Sequence, residues 1–140
     1  MEDMILVLLE QSKQSLKIYE DMQEKLTGSV LMSLSDCMNY KTIADNCIQM
    51  AAVNWCKVFA SKKSKSHYAA GAKFNKQLFL SLVEARGVSF QETCDKMRSF
   101  RDKYAEEKYT REEVKVIFEA AMGIVEEYEK ASVAPVAPFQ

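Results

Sequence analysis

Proline and glycine are scarce in this 140-residue chain: the 2 prolines stand at positions 135 and 138, and only 4 glycines occur. Proline interrupts a helix because it lacks an amide hydrogen and its ring clashes with the preceding turn. Residues 1–134 contain none, so long uninterrupted helices are permitted. The apolar residues also recur every three or four positions, which favours helices over strands.

The chain lacks an excess of charge and a long apolar run. Its 19 basic and 20 acidic side chains give a net charge of -1, so no global positive field attracts nucleic acid. The apolar segment 4–9 is too short to span a bilayer, and the acidic Glu2 and Asp3 before it are unlike a signal peptide. We therefore expect a cytoplasmic protein without a membrane partner.

Metal-binding and redox motifs are also missing. The chain has a single histidine and 4 cysteines, without a CxxC pair or any close pair of potential ligands. Cysteines spread through helical patterns are typical of small buried side chains in a reducing compartment. We expect neither a metal nor a cofactor.

The apolar periodicity predicts an all-α fold, an antiparallel bundle of about five helices with one long central helix. The helices are expected at about 2–26, 29–60, 68–85, 90–106 and 110–130, with the second the longest. Ser89 with Glu92, and Thr110 with Glu113, fit the capping-box pattern at the start of the last two helices. Residues 1–130 form a single domain in this interpretation, and 131–140 a flexible C-terminal tail.

The second helix carries a wide apolar stripe, which is expected to pack against more than one neighbour. Met38 and Met50 are assigned to the edge of this buried stripe. The side chains predicted to be largely buried across the bundle are Leu34, Ile48, Trp55, Leu78, Phe100 and Ile117.

The segment Met97-Arg98-Ser99-Phe100-Arg101-Asp102-Lys103-Tyr104 reads as the end of an amphipathic helix with an Arg-Asp pair after an aromatic residue. It resembles the signature helix of HEPN-type domains, which are small helical bundles of RNA-cleaving toxins and abortive-infection proteins. Upstream, Trp55-Cys56-Lys57-Val58-Phe59, a polar loop and His67-Tyr68 are similar to a second segment of abortive-infection relatives. The resemblance covers residues 55–107. The sequence departs from the pattern at 105–108, where the family has a histidine and this chain has none.

The resemblance implies prokaryotic or phage origin, a role in defence or toxin–antitoxin control, and a homodimer paired through long helices. In an RNase of this type an arginine steadies a phosphate and a histidine acts in general acid–base cleavage. Here Arg101 matches the arginine, and Glu106, Glu107 or His67 would have to replace the missing histidine. The side chains that could contact a partner or RNA are Arg98, Arg101, Asp102, Lys62, Lys63, Lys65 and Tyr68.

Three functions follow from these observations. The first is a non-catalytic protein-interaction or regulatory module, the second an RNase with a substituted general base. The third is a small phage-encoded inhibitor that binds a host defence complex. The missing histidine favours the first and third, because proton transfer to and from the RNA needs a group that titrates near neutral pH.

Overall fold

The computed structural model describes residues 2–28, 32–61, 63, 66–70 and 74–133. In these ranges the chain forms five α-helices and one short 3₁₀ helix, with no strand. The predicted all-α bundle is therefore confirmed. The α-helices are α1 (Glu2–Gly28), α2 (Leu34–Phe59), α3 (Lys76–Ala85), α4 (Phe90–Lys103) and α5 (Arg111–Val133), and the 3₁₀ helix is Tyr68–Ala70.

Helices α1 and α2 form a long antiparallel hairpin. At one level the Ser12 hydroxyl donates a hydrogen bond of 2.8 Å to the Ala51 carbonyl. Near the turn, the Lys25 ammonium lies 5.3 Å from the centre of the Tyr40 ring. The small Ala44, Ala51 and Ala52 are fully buried on α2, so the two backbones can approach closely along the hairpin.

Helix α4 runs antiparallel to α2, and α5 packs against α2, α3 and α4. The Tyr104 hydroxyl donates to Asp45 at 2.6 Å, while at the other end of α4 the Cys94 thiol lies 3.6 Å from the Phe59 carbonyl oxygen. The Trp55 indole donates a buried hydrogen bond of 2.9 Å to the Ala121 carbonyl of α5. Helix α2 thus contacts α1, α4 and α5, as a central helix must.

Aromatic side chains fill the bundle at two places. One group surrounds Phe59 at the end of α2, and the other surrounds Phe100 in α4. Aromatic rings contribute large buried areas and favourable edge-to-face contacts. The first group comprises Phe59, Tyr68, Phe74, Phe79, Phe90 and Tyr128, and the second Phe100, Tyr104, Tyr109 and Phe118.

The helix ends follow local sequence signals. Thr110 and Glu113 form the predicted reciprocal box, each backbone amide donating to the other side chain at 3.1 Å. At α4 the Ser89 hydroxyl accepts from the Glu92 amide at 3.3 Å. Helix α3 ends where Gly87 adopts φ of 83°, a left-handed conformation that glycine takes without steric cost.

Several predicted boundaries and burials are wrong. Helix α2 begins at Leu34, not near 29, because the Ser33 hydroxyl accepts from the Asp36 amide and caps it there. With 26 residues it is shorter than α1, which has 27. Leu34 is consequently in the first turn and 77% exposed, against the prediction, while Leu78 and Ile117 are only half-buried. The predicted burial of Ile48, Trp55 and Phe100 is confirmed.

The other differences concern the ends of α3, α4 and α5. Among the described residues between His67 and α3, only Tyr68–Ala70 is helical, as a 3₁₀ turn. Helix α3 starts at Lys76, where the Asn75 side chain accepts from the Leu78 amide. Helix α4 ends at Lys103 and α5 continues to Val133, into the segment predicted as a tail; residues 134–140 lie outside the described ranges.

Candidate functional site

In the Arg-Asp pair of α4, the two side chains bind each other. The Arg101 Nε donates to the Asp102 Oδ1 at 2.8 Å, which raises the pKa of the Arg101 guanidinium and lowers that of the Asp102 carboxyl. Asp102 is largely exposed, whereas about 30% of the Arg101 side chain reaches solvent. The guanidinium is therefore partly neutralised at the position where the motif would need a free cation.

Arg98 binds the C-terminal end of α2. Its guanidinium donates to the Ala60 carbonyl at 3.3 Å and forms an ion pair with Asp95 one turn earlier on α4. The last carbonyls of a helix have no partner within the helix, and a nearby cation stabilises them. Arg98 is thus engaged in holding α2 against α4.

His67 and Tyr68 lie beside Arg98 in a depression of about 590 Å³ at this end of the bundle. The His67 Nδ1 accepts a hydrogen bond of 3.2 Å from the Ala69 amide, which caps the 3₁₀ turn. Tyr68 is only 5% exposed, and its ring packs in the Phe59 aromatic group. Helix packing therefore brings together three of the predicted residues, although much of the Tyr68 ring is covered.

The remaining predicted residues are elsewhere. Neither Arg101 nor Glu107 lines the depression that contains His67, and Glu107 is exposed in the turn after α4. The structure therefore does not gather the three groups of the RNase hypothesis in that depression. Lys63 is exposed, whereas Lys62 and Lys65 lie outside the described residues.

Two of the thiols are buried and unreactive by environment. Burial raises the pKa of Cys56 to about 11 and that of Cys94 to about 12. A thiol that stays protonated at neutral pH is a poor nucleophile. Across the described ranges, no group of three or more His, Cys, Asp or Glu side chains could hold a metal ion.

A different feature stands out on α1, where one strip of side chains faces solvent along its whole length. Met4, Val7 and Ile18 are 54%, 49% and 41% exposed. They belong to one strip of the helix, whose successive positions are three or four residues apart and whose other members are polar. The complete strip is Met4, Val7, Gln11, Gln14, Ile18, Asp21 and Lys25, and every member is exposed.

Helix α2 carries a matching strip. Ile43 and Met50 are 42% and 51% exposed and lie one heptad apart. A seven-residue spacing returns to nearly the same side of a helix, so these side chains share one face. The complete strip is Asp36, Asn39, Ile43, Asn46, Met50, Val53 and Lys57, of which only Val53 is half-buried.

The two strips flank the same groove of the hairpin. Lys25 of the first strip reaches Tyr40, which is one turn from Asp36 and from Ile43 in the second. Asp21, Lys25 and Tyr40 also line a common depression near the turn. We call the surface formed by the two strips the outer seam.

The outer seam is not among the features predicted from the sequence, because the apolar pattern assigns Met50 to the edge of the buried stripe. Met38, assigned likewise, is 61% exposed. The signal was present as the seven-residue repeat at 36, 43, 50 and 57, apolar only at its centre. A buried stripe on the same helix hid it, since apolar residues on two faces merge into one wide pattern.

Comparison with known proteins adds no assignment. We found no match to a protein-family model, to a curated protein or to a solved structure. The HEPN resemblance therefore stays a prediction. Within the described residues, none of the helices has both the length and the apolar character that crossing a membrane requires.

Proposed function

We propose that this chain is a non-catalytic protein-interaction module and that the outer seam is its binding surface. The observation that carries the proposal is the set of large apolar side chains exposed on one side of both helices of the hairpin, among them Ile43 and Met50, which are one heptad apart. Leaving these side chains in water does not stabilise the fold, because it is the burial of apolar area that contributes favourable free energy, about 25 cal/mol per Å². Exposed apolar side chains gathered on one face and bordered by polar residues are typical of interaction sites.

The chemistry of the seam also suits a helical partner. Apolar Ile43 and Met50 alternate with the amides of Asn39 and Asn46, and charges stand only at the ends of the α2 strip. Interfaces have an apolar centre and a polar rim, with charged residues depleted at the centre. An amphipathic helix or helix pair placed on the seam would bury the apolar centre and leave the ends in contact with water.

The RNase alternative receives less support. Cleavage through the RNA 2′-hydroxyl needs a cation at the phosphate and two groups that exchange protons within hydrogen-bond reach. Arg101 is paired with Asp102, His67 accepts a backbone hydrogen bond elsewhere, and Glu107 is in an exposed turn. The inhibitor alternative and the link to defence or toxin–antitoxin control rest on the sequence resemblance and stay predictions.

Site-specific photo-crosslinking in cells that carry the chain tests the proposal. A photoreactive amino acid replaces Ile43 or Met50 on the seam, and Val116 serves as the control because it is 62% exposed on α5, outside the seam. We expect protein adducts from the two seam positions and none from Val116. Equal adducts at all three positions, or none on the seam, would refute the binding surface.

An RNA cleavage assay tests the non-catalytic part. Purified protein is expected to leave a mixed RNA substrate intact at neutral pH. The control is the Arg101→Ala variant, which should behave identically. Cleavage by the wild type that disappears in Arg101→Ala or His67→Ala protein would favour the RNase instead.

A further inference from the structure

We propose that the depression beside His67 and Tyr68 binds a small monocarboxylic acid. Arg98 and Lys76 hold the carboxylate, and the apolar body of the ligand lies against side chains of α3 and α4. None of the described residues that line this depression belongs to the outer seam, so the inference does not rest on the proposed function. It rests on the size of the depression, on the sign of its charge and on the hydrogen-bond donors that it offers.

The depression is formed where four elements meet. The end of α2, the 3₁₀ turn, α3 and α4 all contribute to its lining, and its volume is about 590 Å³. Sites for small organic ligands are concave and have volumes of about 300–1,000 Å³, with apolar walls and a few polar groups. The apolar wall here consists of Tyr68, which is buried, and of Leu80 and Phe90, which are half-buried. The depression therefore has the size and the apolar surface that a small organic ligand needs.

The charge in the depression is of one sign. Lys76 and Arg98 line it, whereas none of its described lining residues is acidic, although the chain has 20 acidic side chains. The depression between α1 and α5 differs, because four glutamates and only two basic residues are found among those that line it. A cleft with low-dielectric walls and charges of one sign concentrates ligands of the opposite sign. The depression at the end of α2 is therefore suited to an anion.

Arg98 is held in place and still has donors for a ligand. Its guanidinium donates to the Ala60 carbonyl at 3.3 Å and to the Asp95 carboxylate, which also accepts from the Gln91 side chain at 3.1 Å. A guanidinium has five N–H donors in a planar fork, of which these two bonds use two. About 40% of the Arg98 side chain reaches solvent. The remaining donors suit the two oxygens of a carboxylate.

The amount of positive charge favours a monoanion. Asp95 already neutralises part of the Arg98 charge. The His67 Nδ1 accepts a hydrogen bond, so the imidazole carries its proton on Nε2 and is uncharged. Lys76 is exposed and forms no ion pair within 4 Å with the described part of the chain. The charge of Lys76 and part of that of Arg98 can balance one carboxylate, but not the several charges of a polyphosphate.

Calorimetric titration of the purified full-length chain at neutral pH tests the site with three probes. Octanoate has a carboxylate and an apolar chain, octanol lacks the charge, and acetate lacks the chain. Octanoate is expected to bind at one site per chain with a Kd below about 1 mM, and about tenfold or more tightly than the other two. Octanol or acetate binding as tightly as octanoate, or no binding of octanoate, would overturn the proposal.

Two matched lysine variants locate the site. Lys76 and Lys115 are both exposed on helices, and each lines a different depression. Lys76→Gln removes a cation from the proposed site and should weaken octanoate binding by about fivefold. Lys115→Gln removes the same charge from the depression between α1 and α5, and it should bind octanoate as the wild type does. Equal affinities in the two variants would show that octanoate binds elsewhere.

An acidic substitution and a second anion complete the test. Leu80→Glu places a negative charge in the depression and should abolish octanoate binding, with circular dichroism as the check that the helices remain. If that variant does not fold, the Lys76→Gln titration still decides. Pyrophosphate that binds more tightly than octanoate would make the depression a phosphate site and overturn the assignment of a monocarboxylic acid.

Discussion

At the scale of single residues, Trp55 shows how one side chain joins two helices. Its ring is fully buried on α2 next to Phe59, and its indole nitrogen donates to the Ala121 carbonyl on α5. The indole therefore contributes both apolar area and a satisfied polar contact. A smaller residue would leave a cavity that helices packed on several sides could not fill.

Truncation of Trp55 is accordingly expected to be severe. Trp55→Ala should lower the free energy of unfolding by about 3–5 kcal/mol, measured by urea denaturation. Leu34→Ala is the control: that side chain is 77% exposed, so its loss should change stability by less than about 0.5 kcal/mol. Similar losses in both variants would mean that α2 is rotated relative to the structure.

The buried thiols predict a pH dependence. A thiol in the unfolded chain titrates near 9.0, whereas burial raises the pKa of Cys56 to about 11 and of Cys94 to about 12. Above pH 9 the unfolded chain therefore binds fewer protons than the folded one, and stability falls as pH rises from about 9 to about 11. Each thiol can contribute up to about 1.4 kcal/mol per pH unit.

Chemical denaturation at pH 8, 9 and 10 measures this decline. The Cys56→Ala, Cys94→Ala double variant should be less stable at pH 8 but lose less stability between pH 8 and 10. Tyrosines contribute mainly above that range, because an unperturbed phenol has a pKa of 10.0. An unchanged slope in the double variant would show that the thiols are not the groups responsible.

At the scale of elements, the helix ends depend on a few polar contacts. The reciprocal bonds of Thr110 and Glu113 start α5, Ser33 starts α2, and Gly87 ends α3. Each satisfies backbone groups that the helix itself leaves without partners. Removing one should shift stability by about the energy of a cap and leave the fold in place.

Thr110→Ala should cost about 1 kcal/mol of stability, because the Glu113 amide loses its acceptor. Thr27→Ala is the matched control, another exposed threonine whose hydroxyl bonds only to carbonyls of its own helix at 3.0 and 3.2 Å. Thermal or urea unfolding compares the two. A larger loss in Thr27→Ala would contradict the assigned role of the box.

The two arginines of α4 should also differ. Arg98→Ala removes a bond to the end of α2 and should destabilise the protein by about 1 kcal/mol. Arg101→Ala removes a pair with a largely exposed aspartate, and such surface pairs are worth at most about 1 kcal/mol and often far less. We expect Arg98→Ala to have the lower urea midpoint; the reverse order would assign Arg101 the structural role.

At the scale of the whole molecule, the bundle covers only one side of the α1–α2 hairpin. Helices α4 and α5 pack on the inner side, where Ile48 and Trp55 are fully buried. The outer seam remains in contact with solvent. The other helices thus pack on only one face of these two helices of 27 and 26 residues. A partner on the other face would bury the apolar side chains that are exposed there.

If a second copy fills that face, thermal stability should depend on protein concentration. Unfolding then separates two chains, so a tenfold increase in concentration should raise the melting temperature by about 2 °C. The Ile43→Glu variant should melt at a temperature independent of concentration. Scanning calorimetry from about 5 to 100 µM measures both, and a concentration-independent wild type would contradict the dimer.

The amino-acid sequence by itself determined the all-α class and much of the local structure. The absence of proline before position 135, the spacing of Ile48 and Trp55, and the pairing of Thr110 with Glu113 are all local signals. Local signals suffice for helices and caps because the interactions concerned span only three or four residues.

Only the tertiary structure decided which apolar residues face water. Met50 and Ile48 are two positions apart on one helix, yet one is 51% exposed and the other fully buried. The difference depends on where α1, α4 and α5 pack around α2, which involves contacts between distant parts of the chain. For the same reason, the sequence could not show that Arg98 is bonded to the end of α2 while His67 and Glu107 lie apart.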